Sequence, residues 1–454
     1  MYVNPKVFKA YDIRGDFPEE VNGRSVYVIM RAFVELLRSK EPKQQKFRIV
    51  VANDGRPSSP ELKKAVHEAL LDEGVMLIDI GFATTPFYYY TVFKTEADGG
   101  VMITASHAPQ RMNGLKLTTH GAEPLMGEGM EVVKSIARRG IFQSKAEERG
   151  TVEHQSLYRD YVDFLLSKVD LSKASGIKVV FDAGGGMAGV LLPHLVKRLP
   201  CETTILGGEM TYASAFKVLN PLIEEDLAPL KNEVLLKHAA FGVAFDQDSD
   251  RSGFVTNNAR YFRSDYIGAF LAREFLKTNP SIPIVHDVRS SSIFRETIVA
   301  NGGRPFESRV GHSFIKTLMR KEDAFFAAEM SGHFYFKEFN YLDSDLLPFL
   351  YFLQFLSRST KTSDQILSEF NIYPSSGEIN FKVEGKDTIL EQIASKFSDA
   401  KEAKWIDGLT LYYDDWWANI RLSNTEALLR LTVEARTQEI LEEKVKALST
   451  VIGA

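Results

Sequence analysis

Three stretches of the chain carry the same order of apolar and polar positions. Each begins with a run of β-branched and other apolar residues, continues to an acidic residue and a turn, and leads into a helix-like pattern. These runs are FRIVVANDGR (47–56), IKVVFDAGGG (177–186) and PIVHDVRSSS (283–292), with Asp54, Asp182 and Asp287 at the matching positions. Such a run is typical of a buried strand that precedes a helix.

Each run is followed by two further strand candidates. The second strands are predicted at 75–81, 203–208 and 304–311, and the third strands at 100–104, 242–246 and 325–329. Strands that alternate with helical patterns in this way predict βαβ units in mixed, mostly parallel sheets. The long interval between the repeats favours duplicated domains over a solenoid.

Polar loops follow the third strand of every repeat. The chain runs into Ser106-His107, then into residues 247–251, and then into residues 330–333. In open α/β sheets, ligands bind outside the carboxyl ends of the strands. The three loops are therefore predicted to be walls of one cleft, and ordinary solvated turns are the alternative.

Changes of pattern predict four domains. A helix at 158–169 separates the first two repeats, a polar segment at 256–263 separates the second and third, and the residues after 371–374 lack the repeat. We predict an α/β fold with three similar mixed-sheet α/β domains and a smaller C-terminal α+β domain around a central cleft. The boundaries are 1–154, 155–256, 257–370 and 371–454.

Composition narrows the class of protein. The chain has 454 residues, is 44% hydrophobic and 25% charged, and carries a formal net charge of −5. Because nucleic-acid binders usually carry a basic surplus, no nucleic-acid partner is expected. The single cysteine, Cys201, excludes an internal disulfide. No signal-peptide pattern or run of 18 apolar residues is present, so we expect a cytoplasmic protein with no membrane partner.

Three carboxylates recur at every second position in Asp246-x-Asp248-x-Asp250. In an extended chain they project to one side, where they suit a divalent cation such as magnesium. An acidic turn without a metal is the alternative. An EF-hand is excluded because Arg251 stands where that loop needs glycine. The same arginine suits a phosphate ligand.

A lone serine near a metal indicates phosphoryl transfer. Ser106 has no Gly-x-Ser-x-Gly elbow around it, so a hydrolase triad is not expected. Metal coordination can activate a serine hydroxyl, and His107 can orient it or move a proton. A structural hydrogen bond is the alternative for His107.

Two further motifs point to anion binding. Gly184-x-Gly186-x-x-Gly189 formally matches a dinucleotide fingerprint, but a tight strand–helix turn explains these glycines equally well. Near the C-terminus, a guanidinium, two hydroxyls and an amide can cradle a phosphate, and they belong to Arg421, Ser423, Asn424 and Thr425. A surface turn is the alternative.

Taken together, the chain resembles the α-D-phosphohexomutase superfamily, in its phosphomannomutase/phosphoglucomutase branch. The resemblance runs end to end, through FKAYDIRG (8–15), TASHAPQRMNGLK (104–116), DQDSDR (246–251), RVGHSFIK (309–316), EMSGHFYF (329–336) and RLSNTEALLR (421–430). It implies a phosphomutase that interconverts hexose 1- and 6-phosphates through a phosphoserine and a 1,6-bisphosphate.

The resemblance also implies roles for individual residues. Ser106 would be phosphorylated and, with Asp246, Asp248 and Asp250, would hold Mg²⁺. Arg14, Lys116 and His107 would act at the transferring phosphoryl group. The substrate-binding residues would be Tyr11, Arg251, His312, Glu329, Ser331, His333, Arg421, Ser423, Asn424 and Thr425. Of these, His312 and His333 are candidates for proton transfer. The resemblance further implies a hexose 1,6-bisphosphate activator, a phosphohexose substrate and a monomer or weak dimer.

The chain departs from the family pattern at two positions. Ala108 stands where the family usually has asparagine, and Ala427 stands where it usually has proline. These departures keep a second class of function open, a phosphosugar-binding protein with impaired catalysis. A phosphoglucosamine mutase is the other alternative.

Overall fold

The structure of the chain is a computed structural model that describes residues 3–142, 145–210, 219–383, 386–422 and 428–453. The chain divides into two compact units. The first comprises Met1–Tyr261 and Leu342–Ser363, and the second comprises Phe262–Tyr341 and Asp364–Ala454. The chain thus leaves the first unit after Tyr261 and returns to it for one short segment.

The first sheet of the first unit is mixed. Its strands are β1 (Ile13–Asp16), β2 (Arg48–Asn53), β3 (Met76–Phe82), β4 (Gly99–Ile103), β5 (Met112–Thr119), β6 (Glu123–Pro124) and β7 (Thr151–His154). Its helices are α1 (Gly23–Lys40), α2 (Ser59–Asp72), α3 (Thr85–Lys94) and α4 (Gly127–Arg139). The order is β1-β5-β4-β2-β3-β7, with β6 paired to β5. β2 is parallel to β3 and β4, whereas β5 is antiparallel to β4.

The second sheet belongs to the same unit. It is built from α5 (Tyr158–Leu166), β8 (Lys178–Asp182), α6 (Ala188–Val196), β9 (Glu202–Leu206), α7 (Ala228–Lys237), β10 (Phe241–Phe245), β11 (Ser252–Thr256) and β12 (Tyr261–Phe262). The strand order is β12-β11-β10-β8-β9. The segment 256–263, predicted to separate the second and third repeats, also forms a hairpin: the Thr256 N–H donates to the Arg260 carbonyl, and β12 joins this sheet. The first unit ends within this segment, at Tyr261.

The glycines at 184–189 form a tight turn between β8 and α6. The Gly185 N–H donates to the Gly207 carbonyl at 2.9 Å. A Cβ on Gly189 would lie only 2.3 Å from the Gly208 carbonyl oxygen. Close approach of the backbone after β9 therefore explains why glycine stands at position 189.

The second unit contains a third sheet of the same design. Its elements are α8 (Ser264–Thr278), β13 (Pro283–Asp287), α9 (Ser292–Ala300), β14 (Arg304–Ser308), α10 (His312–Glu322), β15 (Phe326–Ala328) and β16 (Phe334–Phe336). β13 is parallel to β14 and β15, and β16 is antiparallel to β15. The central strands β2, β8 and β13 each have two parallel neighbours, so the three-fold repeat in the sequence is a repeat of structure.

The segment that returns to the first unit consists of β17 (Leu342–Asp343) and α11 (Leu346–Ser357). α11 is apolar and almost wholly buried. The Phe349 ring lies 4.8 Å from the Phe181 ring of β8, and the Phe352 ring lies 4.9 Å from the Phe241 ring of β10. This helix therefore completes the core beside the second sheet.

A smaller antiparallel sheet ends the chain within the second unit. Its elements are α12 (Ser363–Ser368), β18 (Ser375–Phe381), α13 (Lys386–Lys396), β19 (Glu402–Lys404), β20 (Leu409–Tyr412), β21 (Trp416–Leu422), β22 (Leu429–Ala435) and α14 (Gln438–Ile452). The strand order is β18-β22-β21-β20-β19. The predicted fold class, three similar α/β domains and a smaller α+β domain, is confirmed.

Candidate active site

Ser106 lies at the carboxyl end of β4, in a buried loop. The residue is only 4% exposed, and its backbone has φ +53°, a left-handed conformation that is uncommon outside glycine. The Ser106 N–H donates to the Thr104 hydroxyl at 2.9 Å. The serine Oγ lies 3.1 Å from Nδ1 of His107, whose ring is exposed. The loop therefore presents a hydroxyl beside a group that can carry a proton.

The acidic triad lies in a turn after β10 and not in an extended chain. Ser249 has φ +55°, and its N–H donates to the Asp246 carbonyl at 3.1 Å. Asp246 Oδ1 accepts the N–H groups of Asp250 and Arg251 at 3.1 and 3.3 Å. Extended-strand geometry was thus the wrong reason for placing the carboxylates together. The turn gathers them, and one carboxylate oxygen from each aspartate lies within 4.8 Å of the others.

Two residues of the first sheet contact the triad. The Thr85 N–H donates to the Asp248 carbonyl at 2.9 Å, and the Thr85 hydroxyl donates to Asp248 Oδ2 at 2.8 Å. Thr85 follows β3 and Ser106 follows β4, and both strands run parallel to β2. Because parallel strands end at the same edge of a sheet, the triad docks on the edge that carries the serine loop.

Lys116 of β5 joins the same contact. Its Nζ lies 2.7 Å from Asp248 Oδ2 and 2.6 Å from Asp250 Oδ2. Burial disfavours the ammonium form, but the attraction of the two carboxylates outweighs burial and holds the pKa of Lys116 well above its ordinary value. Lys116 is therefore a fixed cation in a buried acidic site.

The donor set of the triad fits a hard divalent cation. Its oxygens come from three carboxylates, the ligand type that magnesium prefers. Asp248 Oδ1 is buried and accepts no hydrogen bond from any described residue. A buried carboxylate oxygen in that state is costly unless something else binds it. Asp246, Asp248 and Asp250 are thus the residues that could hold a metal.

Three more of the predicted residues lie in this unit. Arg14 of β1 is paired with Asp12, and the attraction of Asp12 and Asp248 outweighs burial and raises the pKa of Arg14. The Arg251 Nε lies 3.7 Å from Asp246 Oδ2. Tyr11 is half-buried beside Arg14. Two guanidinium groups therefore lie near the triad in addition to the Lys116 ammonium.

The second unit holds the predicted sugar loop at the end of β15. Glu329 is buried and accepts the Gly311 N–H at 3.0 Å and the Tyr335 hydroxyl at 2.5 Å. His333 Nδ1 lies 3.3 Å from Glu329 Oε2 and 2.9 Å from the Ser331 hydroxyl. Burial opposes ionisation, but the hydrogen bond and charge of His333 lower the pKa of Glu329 to about 2.

The two histidines of this unit are neighbours. The ring of His312, at the start of α10, lies 6.2 Å from the ring of His333. Both residues are less than a tenth exposed. The structure thus brings Glu329, Ser331, His333 and His312 together in one polar cluster.

Arg421 belongs to an arginine cluster that the sequence did not reveal. Its guanidinium donates to Glu378 Oε2 at 2.5 Å. Arg430 lies 3.0 Å from the other Glu378 oxygen, and Arg289 lies 3.5 Å from Oε2. The pKa of Glu378 is lowered because the attraction of these cations outweighs burial. The only sequence signal was the Asp287-x-Arg289 pair at the end of β13, which repeats Asp54-x-Arg56.

Only part of the predicted phosphate loop lies among the residues that the structure describes. Ser423, Asn424, Thr425 and Ala427 lie outside the residues that the structure describes. Arg421, in β21 just before these residues, is only 2% exposed. Among the described helices, none has the length and apolar character needed to cross a bilayer.

Transfer of a phosphoryl group needs an acceptor hydroxyl and cations that offset its charge. The first unit places a buried serine loop, three carboxylates that could hold a cation, and Lys116 at one edge of a mixed sheet. The fold and this chemistry define the class of an intramolecular phosphotransferase, a mutase.

Comparisons with known proteins identify the family. Descriptions of the phosphoglucomutase/phosphomannomutase α/β/α domains I, II and III match residues 5–144, 159–259 and 263–373, and that of the C-terminal domain matches 378–450. A phosphomannomutase of Vibrio cholerae is 36% identical over 98% of both chains. A phosphomannomutase of Escherichia coli K12 is 35% identical over 98% of both chains.

A solved structure agrees with these relatives. A phosphoglucomutase/phosphomannomutase family protein from Burkholderia thailandensis has a TM-score of 0.90 at 28% identity, over 99% of this chain and 97% of its own. The chain belongs to the phosphoglucomutase/phosphomannomutase family.

Proposed function

We propose that this chain interconverts hexose 1-phosphate and hexose 6-phosphate, with mannose, glucose or both as the hexose. The reaction runs through a phosphorylated Ser106 and a hexose 1,6-bisphosphate. The relatives of 36% and 35% identity are named phosphomannomutase, which supports the substrate class. The observation that carries the proposal is the pair of contacts from Lys116 to Asp248 and Asp250 at the serine edge of the first sheet.

The proposed transfer begins from phosphoserine. The bond between Ser106 Oγ and phosphorus breaks, a bond forms between phosphorus and the free hydroxyl of the hexose phosphate, and the proton of that hydroxyl passes to a base. The bisphosphate then turns over, and its other phosphoryl group returns to Ser106. His107 Nδ1, at 3.1 Å from Ser106 Oγ, is one candidate to exchange the serine proton.

Cationic side chains and a metal held by the triad would together offset the negative charge of the transferring phosphoryl group. Asp246, Asp248 and Asp250, with the Ser106 phosphate, would hold Mg²⁺, which offsets charge on the transferring group when it is bound. Lys116 holds two of the carboxylates in place, and its positive charge reduces the net negative charge of the site. Arg14 and Arg251 would contact the phosphoryl oxygens, for which a guanidinium is well suited.

The second unit would recognise the rest of the substrate. Glu329 and Ser331 would bind ring hydroxyls, and the two histidines would bind substrate or move protons. Arg421, with Ser423, Asn424 and Thr425, would hold the phosphate that does not react, and Tyr11 would contact substrate from the first unit. The division into domains at 1–154, 155–256, 257–370 and 371–454 remains part of this proposal.

Two measurements test the proposal. Turnover of glucose 1-phosphate, mannose 1-phosphate and glucosamine 1-phosphate is compared with Mg²⁺ and a trace of glucose 1,6-bisphosphate. A preference for glucosamine 1-phosphate would make the chain a phosphoglucosamine mutase. Intact mass is measured for the wild type and S106A, and we expect one phosphate on the wild type that is absent from the variant.

A binding protein without catalysis is the second candidate, motivated by Ala108 and Ala427. Ala108 is buried, and the loop at this position is held by backbone groups, since its N–H donates to the Ala105 carbonyl at 3.0 Å. The shape of the loop therefore does not need an asparagine side chain here, which favours the enzyme. Tight binding of a hexose phosphate with neither turnover nor a phosphoserine would favour the binding protein.

A further inference from the structure

One buried arginine holds the loop that carries Ser106. Arg56, just after β2, is only 3% exposed. Its Nη2 donates to the carbonyls of Ser106 at 2.6 Å and Ala108 at 2.8 Å. Its Nη1 donates to the carbonyls of Pro109 and Met112, both at 3.0 Å. Four carbonyls between residues 106 and 112 thus converge on a single guanidinium group.

The charge of Arg56 is balanced from behind by Asp54. Asp54 Oδ2 lies 3.2 Å from Arg56 Nε, and Asp54 Oδ1 accepts the Arg56 N–H at 3.0 Å. The Ser59 hydroxyl donates to the same Oδ1 at 2.7 Å. A fully buried carboxylate therefore fixes the arginine, and the planar fork of the arginine in turn fixes the loop.

This network answers two physical needs of the loop. The backbone of Ser106 has φ +53°, a conformation that persists only where the surrounding structure enforces it. The carbonyl oxygens of Ser106 and Ala108 also carry partial negative charge. Because both accept hydrogen bonds from Arg56, the guanidinium offsets that charge, and a phosphoryl group on the serine would be repelled less.

The equivalent arginine of the third sheet has different contacts. Arg289 follows β13 as Arg56 follows β2, and it also pairs with an aspartate two residues before it. Among the described residues, its second carboxylate contact is Glu378, beside Arg421, and no set of loop carbonyls accepts from its side chain. The shared Asp-x-Arg pattern therefore does not by itself predict that the arginine binds the carbonyls of a loop.

We propose that Arg56 is a positioning residue for the phosphoryl transfer. By binding four backbone carbonyls of the loop, it holds Ser106 in its reactive conformation. The inference rests on the proposed function, because it assumes that Ser106 receives the phosphoryl group. Arg56 itself touches the backbone of the loop and acts through it. Loss of the Arg56 guanidinium should therefore lower the rate of phosphoryl transfer more than it weakens substrate binding.

The test compares R56K with R48K. Lysine keeps the charge at position 56 but cannot bind four carbonyls with a planar fork. Arg48 is a matched control at the opposite end of β2, where its Nη1 donates to the Thr95 carbonyl at 2.9 Å, far along the strand from the serine loop. For R56K we expect kcat to fall about 100-fold with KM within about two-fold, since a misplacement of about 1 Å costs that much. R48K should keep the wild-type kcat.

Hydrogen exchange gives a readout that does not depend on activity. Amides of residues 106–112 should exchange faster in R56K than in the wild type, and R48K should leave them unchanged. R56A provides a chemical-rescue arm, in which guanidinium at non-denaturing concentration restores turnover and sodium chloride of equal ionic strength does not. R56K covers the case in which R56A does not fold.

The outcomes separate this inference from the proposed function. If the wild type gains no phosphate on Ser106 from glucose 1,6-bisphosphate, the proposed function fails and the role of Arg56 falls with it. If the wild type is phosphorylated and R56K matches it in kcat or in loop exchange, only the inference is wrong. Equal losses of kcat in R56K and R48K would assign the effect to the stability of the sheet and would also overturn it.

Discussion

The hydroxyl of Ser249 donates a 2.6 Å hydrogen bond to Oδ2 of Asp345, and both residues are fully buried. Ser249 is the residue with positive φ in the acidic turn, and Asp345 lies at the start of α11. The segment that returns to the first unit thus supports the turn that gathers the triad.

Asp345 should make stability depend on pH. Burial raises the pKa of Asp345 to about 7, whereas an unfolded aspartate titrates near about 4. Between these values the unfolded chain releases its proton first, so the free energy of unfolding should fall as pH rises from about 4 to about 7 and then level off. The effect is on the order of 4 kcal/mol.

Urea unfolding at pH 5 and pH 8 measures this slope. D345N cannot ionise, so it should lose most of the slope and be more stable than the wild type at pH 8. D414N, which removes a carboxylate that is 83% exposed, is the control and should keep the wild-type slope. An unchanged slope in D345N would contradict the prediction.

Removing the Lys116 ammonium should leave two buried carboxylates uncompensated. We expect K116M to lose about 3–5 kcal/mol of unfolding free energy in buffer with a chelator. Because a divalent cation can replace the lost charge, Mg²⁺ should raise the Tm of K116M more than that of the wild type. Thermal unfolding with and without Mg²⁺ checks both statements, and an equal response of the two proteins would argue against a cation site at the triad.

The central carboxylate of the triad should be needed for turnover and not for folding. We expect D248N to lower turnover by at least about 100-fold while its circular dichroism spectrum stays that of the wild type. D414N should retain full turnover. Unchanged activity of the wild type in metal-free buffer would refute the role of the triad.

Glu378 should balance the charge of three arginines in the way that a bound anion would. Its removal in E378Q leaves Arg421, Arg430 and Arg289 without their shared carboxylate, which should cost about 3–5 kcal/mol of unfolding free energy. Inorganic phosphate can supply the missing charge, so it should raise the Tm of E378Q more than that of the wild type. An E378Q/R421Q double variant should recover part of the stability, and its failure to do so would show that the arginines do not depend on Glu378.

The sequence was sufficient for the fold because its signals are local. The central strands β2, β8 and β13 are mostly apolar runs that end at a polar turn, and such runs can be recognised in the sequence without knowing what packs against them. The rule that ligands bind outside the carboxyl ends of strands also predicted that the Ser106 loop and the acidic loop would be walls of one cleft. Thr85 and Lys116 now supply the contacts between the first sheet and Asp248.

The remaining features depend on partners that are distant in sequence. Arg421 is 43 residues from Glu378, and Arg56 is 50 residues from Ser106. No local sequence pattern predicts such long-range pairs. The residues 246–250 were predicted to be extended because aspartates at every second position resemble one face of a strand, whereas they form a turn. The expectations of a monomer or weak dimer, of a cytoplasmic location and of no nucleic-acid or membrane partner stay predictions.

The return of α11 to the first unit has a consequence for synthesis. During translation the strands of the second sheet are synthesised long before Phe349 and Phe352, the aromatic residues that complete its core. Newly made strands must wait for the intervening part of the second unit to emerge before Asp345 can reach Ser249. We therefore expect the acidic turn to be among the last parts of the first unit to reach its final contacts. A nascent chain halted before α11 should expose aromatic surface that chaperones bind.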